Sequence, residues 1–408
     1  MEKLHRWFGW KQLDRWIYFL FVIHCLSACV SGHMASHTEI AILLLTALRV
    51  FVGPSLRYEW KGYGGILAAF GIFYGTMLIS AAYGGQFLEV VRHNNIFRHA
   101  HDILLLFVIG LSVRNIDRLD RMLLMIFLSC ALMSISFYWQ SWHGVQRPMT
   151  TYGGVLMTGA ILYVIAIPPL LVRILERGRP ALLRRGCIVM FLMALLGVFV
   201  SGTRGAWLTV SIVCVVLLGA YARNMKKEIL SIGLVLLVVL GGVASQSEYF
   251  LQRVSSVGNL KEQSQSERLL MWQSAANMFL DHPLLGVGLG NYAEQYQTKY
   301  ISPMAKETNV THAHSMYFQF LAETGAVGFC GYAILYGYIV FWAWRRRRNP
   351  YGRMLLFSTA ALLIFSTTDY TIGSHQAMRF YWVMLGICMQ GALLGERGKG
   401  MAKDGVGK

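Results

Sequence analysis

Charge is scarce in this sequence: Asp, Glu, Lys and Arg make up only 14% of its 408 residues, whereas 55% are hydrophobic. A water-soluble chain of this length would need far more charge to cover its surface. Acids are the scarcer sign, 20 against 37 Lys and Arg, for a formal net charge of +17. Cysteine is rare as well. All seven (Cys25, Cys29, Cys130, Cys187, Cys214, Cys330 and Cys388) fall inside apolar runs or at their edges. We therefore expect no structural disulfide, and no CxxC pair offers a zinc site. A cleavable leader is not expected either, because the first apolar run is followed by further runs rather than by a soluble domain. There is no internal repeat and no low-complexity segment.

What the chain has instead is apolar runs of roughly 16–22 residues from end to end, about the length that crosses a bilayer core. Twelve spans are expected, near 16–32, 38–54, 64–84, 100–114, 122–140, 153–172, 187–201, 205–222, 229–245, 315–344, 354–369 and 379–395. Gly, Ser, Thr and Pro within them are tolerable, since neighbouring helices satisfy the freed backbone groups. With the N-terminus inside, the inner segments hold 26 of the 37 basic residues but only 9 of the 20 acids. That is the positive-inside bias, set most firmly by "WRRRRNP" and "RILERGRPALLRRG". It explains the net charge without nucleic acid, which would want one basic face interleaved with aromatic residues. The expected fold is an all-α polytopic membrane protein of about twelve transmembrane helices, with both termini on the inner side. Residues 1–245 would hold about nine spans, 246–314 one large outer loop with short amphipathic helices, and 315–408 three more spans and a basic tail.

The outer loop is polar and rich in Gln, Ser, Asn and Tyr. Within it, "SQSERLLMWQSAANMFLDHP" opens with Ser264 and Glu267 spaced as a capping box. Leu269, Trp272, Ala276 and Phe279 follow at helical spacing, and Pro283 ends the pattern. The spacing predicts an amphipathic helix on the membrane or against the bundle, carrying Arg268 in its first two turns. "GVGLGNY" (286–292) reads as a tight turn, because it lacks the strand and βαβ context of a dinucleotide site. The loop then returns through "VTHAHSMYFQFLAETGAVG". There His314, Gly325 and Gly328 would share one helix face, the imidazole at the membrane surface and the glycines at a tightly packed helix seam deeper in. A second unusual stretch is "VSGTRGAWL" (200–208), which leaves Arg204 at the outer surface between two spans. It is either an arginine snorkelling to headgroups or a functional charge.

These features together resemble the O-antigen ligase and O-antigen polymerase superfamily, which includes bacterial O-oligosaccharyltransferases. The ligase pattern of His, then Asn, Ser or Gln, nine residues and a Gly-x-x-Gly end is met by His314, Ser315, Gly325 and Gly328, with Ser315 where Asn is commoner. The family's two periplasmic arginines match Arg204 in "GTRGAWL" and Arg268 in "SERLLMW", and "HPLLGVGLGNY" is also typical. The resemblance implies a site on the periplasmic face of the bacterial inner membrane. It implies a glycan donor on undecaprenyl pyrophosphate, a lipid A-core sugar hydroxyl as acceptor, and a reaction without metal, other cofactor or ATP.

Such chemistry needs a base for the attacking hydroxyl and cations for the leaving pyrophosphate. His314 is the candidate base, and Arg204 and Arg268 the candidate pyrophosphate ligands. Direct attack predicts inversion at the anomeric carbon. His312 would be structural or orient the acceptor. "HAH" alone supplies two metal ligands with no carboxylate beside it in sequence, so no metal is expected. Asp369 and Arg379 flank the last outer turn and either face the same cavity or form an interfacial ion pair. "VVRHNNIFRHAHD" (90–102) either holds an anionic ligand or is a solvated loop. A polymerase, a protein oligosaccharyltransferase and a transporter for the same lipid-linked glycan are the competing readings. Transport would call for buried mid-membrane charges and discontinuous helices.

Overall fold

The computed structural model describes residues 9–52, 60–85, 87–150, 157–176, 178–221, 233 and 263–404. Among these, every regular element is helical. The longer helices are α1 (Trp10–Ser27), α2 (Gly32–Val52), α3 (Trp60–Tyr83), α4 (Leu104–Ser112), α5 (Ile116–Trp142), α6 (Thr158–Leu175), α7 (Ala181–Val200), α8 (Arg204–Tyr221), α9 (Gln263–Asp281), α10 (Met316–Arg345), α11 (Pro350–Phe365) and α12 (His375–Asp404). Eight of them, α2, α3, α5–α8, α10 and α12, contain stretches long and apolar enough to cross a membrane. The protein is an all-helical membrane protein.

Twelve spans were expected, and the differences have physical reasons. Helix α1 carries Lys11, Asp14 and Arg15 within its 18 residues. The apolar segment Ala100–Ser112 and helix α11 are shorter than a straight crossing requires. The expected ninth span, 229–245, and the first part of the large loop, 246–262, lie outside the described residues.

Helix α6 is the axis of the bundle. Its whole apolar window is buried, despite Pro168 and Pro169 inside it, and α12 is nearly as enclosed. Around them α11 packs on α6, α7 on α5, and α10 on α3. Large apolar side chains such as Leu44, Phe51, Val215 and Phe341 point outward from the spans, as lipid-facing surfaces should. All seven cysteines are free thiols.

Helix α9 lies against the bundle, packed on α10, with Trp272 stacked on Phe318 at 5.3 Å. The expected capping box does not form. Ser264 is already inside the helix, and the buried Glu267 carboxylate accepts from the backbone amides of Lys306 and Glu307 at 3.1–3.2 Å. That acid pins the returning loop instead of the helix end.

Helix α10 is broken at Gly325, whose φ of 59° and ψ of −161° belong to a region essentially open to glycine alone. Residues 283–288 fill the break. The amides of Val287 and Gly288 donate to the Ala322 and Glu323 carbonyls at 2.9 and 3.0 Å. In return, the amides of Ala326 and Val327 donate to the Pro283 and Leu284 carbonyls at 2.9 and 3.1 Å. So the tight turn read in "GVGLGNY" follows a segment that completes a helix, and Gly286, Gly288 and Gly290 all have positive φ. The partner at Gly325 is therefore a loop rather than the second helix the spacing suggested. Gly328 does face a helix, since a side chain there would meet Met77 of α3 at 3.0 Å.

Candidate active site

The short link between α7 and α8 brings the first arginine into place. Gly202 turns the chain with φ 65°. Gly205 lets α8 approach the end of α11 so closely that a Cβ there would lie 2.5 Å from Thr368 Oγ1. Arg204 then donates to Ser264 Oγ at 2.7 Å. Arg268, one turn further along α9, donates to the Thr368 carbonyl at 2.8 Å. The two arginines, 64 positions apart, are thus gathered around one hinge at residues 366–370.

His314 lies just before α10 and not on its face, since the helix begins at Met316 with Ser315 as its N-cap. Among the described residues it is the one non-glycine residue with positive φ, at 50°. Its neighbours hold it there. The Ala313 amide donates to Gln319 Oε1 at 2.7 Å, the Ala313 carbonyl accepts from Trp272 Nε1 at 2.9 Å, and the Met316 amide donates to the Ser366 carbonyl at 2.9 Å. Strain kept by so many partners is a frequent mark of a functional position.

Helix α11 ends at Phe365, before the expected end of its span, so Asp369 sits in the connection beside His314. The His314 Nδ1 atom is buried, has no hydrogen-bond partner, and lies 4.0 Å from Asp369 Oδ1. The His312 ring packs at 4.3 Å from that of His314 and 5.6 Å from that of Tyr370, and its Nδ1 is hydrogen-bonded with Thr311 Oγ1 at 2.9 Å.

These groups line a cavity of about 620 Å³, within the range of small-ligand sites. Arg268, His312, His314, Asp369 and Ser264 are on its wall, with Arg147, Asn95, Glu267 and Glu307. Arg204 reaches it through Ser264. Burial first, then His312 and Arg268, push the His314 imidazole down to about 3, so it is neutral. Burial and Arg268 lower His312 as well. Burial raises the Asp369 carboxyl to about 6, against the opposing effects of the Tyr370 amide, Arg268 and Arg147.

Of the residues singled out from sequence, Arg204, Arg268, His312, His314 and Asp369 come together. Ser315 is buried at the helix start, outside the cavity wall. Arg379 does not face the cavity: it is buried, donating to Glu39 Oε2 at 3.0 Å and Ser36 Oγ at 2.8 Å of α2. The sequence reading missed Arg147, although an arginine in a connection expected on the outer side runs against the positive-inside bias and is a signal in itself. It also found no carboxylate beside "HAH". Folding supplies Asp369, and one ligand atom from each of His312, His314 and Asp369 lie within 4.8 Å of one another, a set with the composition of a divalent-ion site.

Residues 188–333 match the family model described as O-antigen ligase. The chain carries an O-antigen ligase domain. No curated protein matches the chain. The O-antigen ligase domain takes in Arg204, Arg268, His314, Gly325 and Gly328, while Arg147 and Asp369 of the cavity wall lie outside the matched stretch. The match and the fold together support a membrane protein of the O-antigen ligase and polymerase type.

Proposed function

We propose that the protein is a ligase that moves a glycan from undecaprenyl pyrophosphate to a lipid A-core sugar hydroxyl, at the periplasmic face of the bacterial inner membrane. The observation that carries this reading is one cavity in which a strained, neutral histidine, a buried carboxylate and arginines meet. Residues 246–314 are the periplasmic loop, and both termini are cytoplasmic.

Arg268 and Arg204 bind the donor pyrophosphate, where guanidinium groups remain charged and offer paired donors to phosphate oxygens. They stabilise the charge that develops as the glycosidic C–O bond breaks. His314 removes the acceptor proton through one ring nitrogen, while Asp369 lies 4.0 Å from the other, near enough to stabilise the imidazolium that forms. In the free site the imidazole has little proton affinity. Part of that deficit comes from Arg268, and a bound pyrophosphate cancels it. The base therefore gains strength when the donor is in place. Direct attack from the acceptor side gives inversion. Arginines on the same cavity wall as the His312–His314–Asp369 cluster favour an anion over a divalent cation there, so the reaction runs without metal.

The test is a gel profile of surface glycolipids from a strain lacking the protein, complemented with wild type or His314→Ala. Bare lipid A-core with long chains accumulating on the lipid carrier, unrelieved by His314→Ala, is expected. Core capped by a single repeat would instead make the protein a polymerase. Near-normal turnover by a folded, inserted His314→Ala protein would overturn the base assignment. The expected loss is roughly 10²–10⁴-fold, or about 3–5 kcal/mol of transition-state stabilisation.

A further inference from the structure

The basic segment 90–102 contributes Asn95 to the cavity wall, and its last residues do something different. It folds as two short helices, Phe87–His93 and Asn95–Arg98, the second capped by Asn94, whose side chain accepts from the Ile96 amide. A 3₁₀ turn over Ala100–Ile103 follows. Through that turn, ligand atoms of His99, His101 and Asp102 come within 4.8 Å of one another.

Asp102 is 1% exposed, and no donor group reaches either of its carboxylate oxygens; what they meet is the carboxyl group of Glu39. A carboxylate buried in that state is costly unless a proton or a cation completes it. Glu39 of α2 enters from the other side, also 1% exposed. Its Oε2 accepts from Arg379, but its Oε1 has no hydrogen-bond partner. With both carboxylates ionised, one guanidinium leaves the cluster negative when the imidazoles are neutral, so either a shared proton or a cation must complete it.

The spacings suit a metal better than hydrogen bonds. His101 Nε2 lies 3.5 Å from Glu39 Oε1 and 3.7 Å from Asp102 Oδ1. A tetrahedral ion with ligands at about 2.0–2.2 Å requires edges of about 3.3–3.6 Å. We propose that Glu39, His101 and Asp102, with His99 as the fourth ligand, form a structural site for a divalent transition ion, zinc suiting this nitrogen and oxygen set best. His101 is 45% exposed and gives the ion its way in. His99 is held in place by its ring stacking on that of His375 at 4.3 Å.

The ion ties α2 to the 99–103 turn and, through Arg379 on Glu39, to α12. Asn95, just ahead of this turn, donates to the Gly373 carbonyl at 2.8 Å, and both residues line the large cavity. The site thus braces one wall of the cavity and takes no part in transfer. The His312–His314–Asp369 cluster differs in two respects. Asp369 Oδ1 already accepts from the Tyr370 amide, and Arg268 and Arg147 act on the same carboxyl.

The full-length protein, purified without a histidine tag and stripped with chelator, would be titrated with zinc and the bound metal counted after desalting. We expect one retained equivalent and a higher Tm. Asp102→Asn and His101→Ala should each weaken retention at least tenfold, while His314→Ala keeps it. Cobalt in place of zinc should give a ligand-field spectrum that Asp102→Asn abolishes. Elution of His101→Ala as wild type excludes misfolding as the cause, since that side chain is half exposed. No retained zinc in wild type, with Asp102→Asn as stable as wild type, would mean that Glu39 and Asp102 share a proton, and overturns the site. Retention lost in His314→Ala but kept in Asp102→Asn would also overturn it, by putting the ion in the other cluster.

Discussion

Replacing Gly325 by alanine asks the most of this structure. The added Cβ would stand 2.4 Å from both the carbonyl carbon and the oxygen of Leu284, and 2.6 Å from the Leu285 nitrogen. All three are backbone atoms, so no side chain can swing away. The conformation itself costs an alanine about 1–3 kcal/mol. Overlap with a packed backbone adds about 1–3 kcal/mol more. Relieving the overlap by moving the loop would sacrifice some of the four hydrogen bonds across the break, at about 1 kcal/mol each. Strain and overlap together come to about 2–6 kcal/mol, a large share of a folding free energy of about 5–15 kcal/mol. The comparison is Gly337→Ala in the same helix, where an added Cβ meets nothing within 4 Å and alanine is worth up to about 1 kcal/mol over glycine. Tryptophan fluorescence on heating, in detergent, reads both variants. Gly325→Ala should lower Tm by about 5 °C or more and Gly337→Ala should not lower it. The same break joins the loop after α9 to the helix after His314, so Gly325→Ala should also lose transfer in intact membranes. Equal Tm values for Gly325→Ala and wild type would refute the account of the break.

Two further outcomes separate the roles of the polar residues. With Asp369 raised to about 6, its carboxyl is neutral below that pH and charged above it, so transfer should rise as pH increases through about 6. His314, lowered to about 3, is neutral over that whole range and adds no step. Asp369→Asn should remove the step and reduce turnover roughly tenfold or more, whereas an unchanged pH profile would put Asp369 outside the mechanism. Arg268→Ala should raise the KM for the lipid-linked donor with little change in Tm. Arg379→Ala should do the reverse, since breaking a buried ion pair costs about 3–5 kcal/mol; a raised donor KM there would contradict its placement on Glu39.

The sequence carried the helical class, the positions of the eight helices long enough to cross a membrane, and Arg268, His312 and His314 of the cavity wall, because each rests on a local signal. Apolar length marks a span, and an arginine or histidine at an outer helix end is conspicuous without a partner. The rest depends on contacts between distant segments. Nothing in "STTDYTIG" indicates that α11 stops at Phe365 and leaves Asp369 facing His314. Glu267 at helix-cap spacing gave a reasonable but wrong local partner, because amides 39 and 40 positions away compete for the same carboxylate. Helical spacing from His314 to Gly325 failed for a related reason. The arithmetic assumes one unbroken helix, whereas α10 starts after the histidine and breaks at the glycine.

That failure also shows what the separation of His314 and Gly325 measures in this chain. They need not share a face. His314 is the last residue before α10 and Gly325 is where α10 opens, so the separation measures the one rigid piece of helix between them. Its first turn supplies Gln319, which fixes the backbone beside His314. Its last residues supply the Ala322 and Glu323 carbonyls that receive the 283–288 loop. Through that loop the same piece is joined to α9 and so to Arg268, which itself is bonded to the end of α11 next to Asp369. Base, carboxylate and arginine are thereby registered against a single ten-residue segment, Met316–Gly325. An inserted or deleted residue within it would move His314 relative to Arg268 even if every span remained in place.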